Sequence, residues 1–142
     1  MTKLMGLLGV AGLLPFIIAS GLTMVQQPLF GHAASTLFVT YSASILAFLS
    51  GSLWGRETHA LQNNVNDWVM GLSNALCLLA WLCLLLTATL GAVALLMLGY
   101  ITTLIVERRQ ATLVGIDPSY LKLRTLLTAV AVGCHVVMLL GL

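Results

Sequence analysis

His135, Arg124, Tyr120 and Asn74 are the residues of this chain whose chemistry stands out, because each interrupts or borders a long apolar run. Ionisable groups in such surroundings are costly to bury and often functional. His135 could shuttle a proton, ligate haem or a metal, or serve a quinone-binding redox subunit. It could equally be a neutral imidazole bonded to a neighbouring helix, and no second histidine is ready as its partner, since His32 and His59 fall in connections on opposite sides. Arg124 follows Asp117 by seven residues. It either snorkels to the interface or pairs inside the protein with Glu57, Asp67 or Glu107. Tyr120 lies one helical turn before it and could orient the guanidinium. Asn74 reads as a helix-to-helix hydrogen bond rather than a substrate contact.

No nucleophile-and-base pair, acid dyad, phosphate loop or metal-ligand cluster can be assembled at recognisable spacing. No acid is expected to point inward from an apolar run. The chain is therefore read as a non-enzyme without a metal or resident cofactor. Cys77, Cys83 and Cys134 lack CxxC spacing and read as buried small apolar residues. A net charge of +2, with no basic patch among aromatics, excludes nucleic acid as a partner.

The elements that must position these residues follow from hydropathy. Of 142 residues, 60% are hydrophobic and only 7% are charged, against about a quarter charged in soluble domains. The apolar runs are roughly 20 residues long, the length of a helix that crosses a hydrocarbon core. The expected fold is all-α: one transmembrane domain over residues 1–142, a bundle of five spans at about 4–25, 36–55, 68–86, 90–106 and 119–141.

In the first span Thr2 is a candidate cap, and Gly6, Gly9 and Gly12 leave a smooth strip for a neighbouring backbone. Pro15 frees the carbonyl of Ala11 and should kink the helix. A signal peptide ending near Ala19-Ser20-Gly21 is the rival reading; the run is taken as a retained span. Gln26 to Ser35 is an uncharged connection. Arg56 to Asp67 is a loop or short surface helix, with Asn66 or Asp67 capping span three, and a tight turn spans Thr87 to Thr89. Glu107 to Asp117 is a second charged connection. Asp117 and Pro118 read as N-cap and first residue of span five.

The most polar apolar stretch, Tyr41 to Arg56, contains Gly51-x-x-x-Gly55. At about 100° per residue, Tyr41, Ser44, Phe48, Gly51, Ser52 and Gly55 share one face, with Ser50 and Trp54 opposite. Helices in lipid associate through small residues and hydrogen bonds, so this face is expected to be the packing interior. Trp54 and Arg56 would then sit at the inner interface, with Tyr120 and Arg124 arriving there from span five. All six Lys and Arg residues and all four Asp and Glu residues fall on the side of the N-terminus. The positive-inside rule places that side in the cytoplasm and the C-terminus outside.

Phe48-Leu49-Ser50-Gly51-Ser52-Leu53-Trp54-Gly55 after Tyr41, Tyr120-Leu121-Lys122-Leu123-Arg124 with Leu127-Thr128, and Leu14-Pro15-Phe16 together carry a resemblance. They resemble a domain-of-unknown-function family of small proteobacterial inner-membrane proteins, to which a mitochondrial transmembrane protein is similar. The resemblance spans nearly the whole chain and implies a multi-pass protein of the bacterial inner membrane, without implying an activity. The expected function is a non-catalytic accessory subunit or assembly factor, acting by helix packing on other membrane protein subunits in the lipid bilayer. The alternatives are a small transporter or channel lined by span two, and the haem- or quinone-binding subunit using His135.

Overall fold

A chain in hydrocarbon has no water to satisfy its backbone, so its long apolar runs must close their hydrogen bonds within helices. The computed structural model describes residues 3–59, 67–86, 89–114 and 117–142. The candidate caps at Thr2 and Asn66, the Asp67 side chain and the Thr87–Ala88 turn lie outside what it describes. The helices are α1 (Lys3–Gly12), α2 (Leu14–Met24), α3 (Ala34–His59), α4 (Asp67–Leu86), α5 (Leu90–Val114) and α6 (Pro118–Gly141). Counting α1 and α2 as one interrupted crossing, five helical segments are long and apolar enough to span a membrane.

Pro15 falls at the start of α2 and ends the helical ladder one turn earlier: α1 stops at Gly12, and Leu13 stands between the two helices. Beside this break the carbonyl of Gly12 accepts the Tyr41 hydroxyl at 2.7 Å. Of the three early glycines, Gly9 makes the close approach, where a Cβ would come within 3.0 Å of Leu127 in α6. The uncharged connection turns tightly at Phe30-Gly31, both at positive φ, with Leu29 and His32 exchanging two backbone hydrogen bonds of 3.0 Å. Thr89 caps α5 by accepting from the Ala92 N–H, and Asp117 caps α6 by accepting from the Ser119 N–H. The latter bond holds the Asp117 carboxyl below its ordinary range.

α3 and α5 run past the expected ends of their spans. At 26 and 25 residues, and about 1.5 Å per residue, each is longer than a hydrocarbon core of about 30 Å. The extra turns carry Arg56 and Glu57 on α3 and Glu107 and Gln110 on α5, residues that the sequence places in the two charged connections, the first of them read as a loop or short surface helix. Neighbouring helices contact in the cyclic order α2, α3, α4, α5, α6 and back to α2, with α3 and α5 also touching across the ring.

The interior face of α3 is not the small, hydroxylated one. Phe38, Ser42, Leu46, Leu49, Ser50, Leu53 and Glu57 are buried, whereas Ser44, Phe48, Gly51, Trp54 and Gly55 are exposed. A Cβ on Gly51 or Gly55 would meet nothing within 4 Å. The physical reason is local. Ser44 and Ser52 donate to carbonyls of their own helix, Thr40 and Leu49, at 2.9 and 2.7 Å, so a helical hydroxyl needs no neighbour. The same holds for Asn74, which is exposed and donates to Met70 of α4 instead of bridging helices. Cys77 is likewise exposed, unlike Cys83 and Cys134.

The close contact between α3 and α5 is made at Gly99, where a Cβ would stand 2.7 Å from Leu46. Gly99→Leu is expected to destabilise the bundle by about 1–3 kcal/mol through overpacking, whereas Gly51→Ala should be nearly silent. Thermal unfolding of the two variants in detergent checks this contrast.

Candidate functional site

Three helices converge at the end that carries the charges. The Glu107 carboxylate of α5, 1% exposed, accepts from Arg124 Nε of α6 at 3.1 and 3.3 Å. It also lies 3.4 Å from Arg56 Nη2 of α3. Arg124 is itself buried, so it does not snorkel, and it meets Glu107, one of its candidate partners. Half-buried Tyr120, one turn before Arg124, faces the same carboxylate. One turn beyond Glu107, Gln110 donates to Glu57 at 3.0 Å and to the Leu53 carbonyl at 3.4 Å. Two acids therefore point inward, against the sequence expectation of none. They are matched by two guanidiniums, so the cluster is balanced in charge.

The donors in this cluster outnumber the acceptors. Arg56 Nε and Nη1 and Arg124 Nη2 are buried without a hydrogen-bond partner among the described residues, as is the hydroxyl of Thr128 one turn further along α6. The one acceptor in the same condition is Gln110 Oε1.

His135 is fully buried deeper in the bundle, in a second cluster linking the same three helices. Its Nδ1 lies 2.7 Å from the Ala131 carbonyl and its Nε2 lies 2.7 Å from Ser42 Oγ. A carbonyl can only accept, so Nδ1 carries the proton and a neutral ring accepts from Ser42 at Nε2. Tyr100 of α5 donates to the Ser42 carbonyl at 2.6 Å. The rings of Phe38, Tyr100 and Phe16 close around the imidazole at centroid distances of 4.8, 5.1 and 5.7 Å. Both nitrogens are occupied and the faces are covered, so iron ligation would require this cluster to be dismantled.

The residues expected to line a path along span two do not come together. Tyr41 is tied to α1 and Ser44 is exposed, while Ser52 borders a cavity of about 450 Å³ with Tyr120, Arg124 and Thr128. Trp54 is exposed, and Arg56 is mostly covered by its contact with Glu107.

Glu57 entered only as a candidate partner of Arg124, and Gln110 and Ser42 were not singled out by residue type. Their spacing was the available signal. Leu96, Tyr100, Thr103, Glu107 and Gln110 in α5, and Arg124, Thr128, Ala131, His135 and Met138 in α6, recur at alternating steps of four and three. This is the repeat of a helix seam facing its neighbours, and all ten side chains are buried.

Five apolar crossings joined by buried polar ties define a multi-pass helical membrane protein whose outer surface meets the lipid bilayer. The chain belongs to a family described as "Protein of unknown function (DUF3429)", whose model matches residues 1–140. It is similar to Transmembrane protein 69 of Xenopus tropicalis, with 38% identity over 128 residues, or 88% of this chain. The chain spans about half the length, 49%, of that curated relative. No solved structure matches.

Replacing one partner of a buried ion pair leaves the other uncompensated, at a cost of about 3–5 kcal/mol. Glu107→Gln is therefore expected to lower the detergent melting temperature sharply, since Arg56 and Arg124 both lose their counter-charge. His135→Phe should cost less, roughly 1–3 kcal/mol, because it removes hydrogen bonds but no charge. Fluorescence-detected thermal melts of both variants give the order.

Proposed function

We propose that this protein is a non-catalytic subunit or assembly factor of a larger membrane protein complex, acting through helix packing. The observation that carries this reading is the use made of the buried polar side chains. Glu107, Arg124, Arg56, Gln110, Ser42 and His135 tie helix to helix, and the hydroxyl–imidazole pair among these contacts, Ser42–His135, is closed in by the rings of Phe16, Phe38 and Tyr100. Polar chemistry is thus spent on holding a shape. The outward face of α3 exposes Ser44 and Gly51 beside Phe48; α4 adds exposed Leu78, Trp81 and Leu85. Faces of this composition suit close approach of another membrane helix.

We read the membrane as the bacterial inner membrane and the charged end as cytoplasmic. Six basic residues on one side, with none on the other, are the positive-inside pattern. Purification in a mild detergent followed by native mass spectrometry tests the function. The expected outcome is a stoichiometric complex with other membrane polypeptides; a lone monomer, recovered reproducibly at native expression level, overturns it.

A further inference from the structure

The cavity of about 450 Å³ lies between α1, α2, α3 and α6. Its volume falls within the roughly 300–1,000 Å³ typical of ligand sites. Most of its wall is aliphatic, including Leu13, Ile45, Leu49, Leu123 and Leu127, and exposed Leu8 and Phe48 stand at its mouth. The lining is graded. Toward the middle of the bundle it ends on Phe16 and Ala131, and toward the charged end it turns polar at Ser52, Tyr120, Arg124 and Thr128.

Two of those polar residues are incomplete. Arg124 Nη2 and the Thr128 hydroxyl are buried without a partner, though both residues are more than nine-tenths buried. Thr128 departs from the habit of most helical hydroxyls here. Thr23, Thr40, Ser44, Ser50, Ser52, Ser73, Thr102, Thr103 and Thr125 each donate to a carbonyl three or four residues back. With Arg124 Nη2 and the Thr128 hydroxyl both unmatched, the polar end of the cavity is short of acceptors. It also lies at the membrane face where six basic residues outnumber four acidic ones. An apolar trough that ends in unmatched hydrogen-bond donors at an interface has the polarity of a phospholipid in the adjacent leaflet.

We propose that this cavity binds one anionic phospholipid, an acyl chain filling the trough and phosphate or ester oxygens meeting Arg124 and Thr128. The donors then gain acceptors, and the negative head offsets the basic excess of that face. This goes beyond the subunit reading and stands without it.

The test is native mass spectrometry of the whole chain, purified and delipidated in detergent and titrated separately with phosphatidylglycerol, phosphatidylcholine and oleate. The expected result is a single bound phosphatidylglycerol, retained in preference to phosphatidylcholine and not displaced by equimolar oleate. Leu8→Trp, which changes an exposed residue at the mouth, should abolish that adduct. Thr128→Val should weaken it by about fivefold, the loss of one hydrogen bond, while its lipid-free melting temperature is unchanged or raised. Equal retention of both phospholipids, preference for oleate, or variants indistinguishable from the parent chain would overturn the proposal.

Discussion

Glu107 holds the charged end of this bundle together. A carboxylate that is 1% exposed can stay ionised only if its surroundings replace the lost water, and here two guanidiniums do so from different helices. The requirement fixes geometry as well as charge. Arg124 reaches Glu107 only if α6 presents its second turn to α5, and Arg56 reaches it only if α3 continues beyond Gly55. The lengths of α3 and α5 are thus tied to one ionic contact, and with them the positions of Gln110 and Glu57.

The five crossings were legible in the sequence because hydropathy over a 20-residue window is a property of the chain alone. The N-cap at Asp117 and the interruption near Pro15 were legible for the same reason, since both are decided within one helical turn. Facing was not. The reading of α3 took serines and glycines as marks of the interior. Ser44 satisfies its hydroxyl on its own backbone, and Gly51 is left open, so neither residue type reports what lies beyond the helix. The ends of α3 and α5 were misplaced because charge was read as solvent exposure, although Glu107 and Arg56 compensate each other across a distance in sequence that no local window covers.

The two polar clusters were half visible. Arg124 and His135 attracted notice as isolated ionisable residues, and Glu107 was among the partners considered for Arg124. Ser42 and Tyr100 attracted none, because a serine or tyrosine in an apolar run is unremarkable until a neighbour's position is known. The four-three spacing of buried residues along α5 and α6 carries that information, and it outranks residue type as a guide to the seam.

The His135 cluster and the Glu107 cluster involve the same three helices at different depths. A single fastening between rods leaves them free to pivot about it, while two fastenings separated along the rods do not. α3, α5 and α6 therefore behave as a braced frame. α2 is packed into that frame through Phe16 against Phe38, Tyr41, Tyr100 and His135, whereas α1, beyond the break at Leu13, meets it through the Tyr41–Gly12 bond and the fit of Gly9 against Leu127. Of the described helices, α1 is therefore the one that the rest of the bundle holds least.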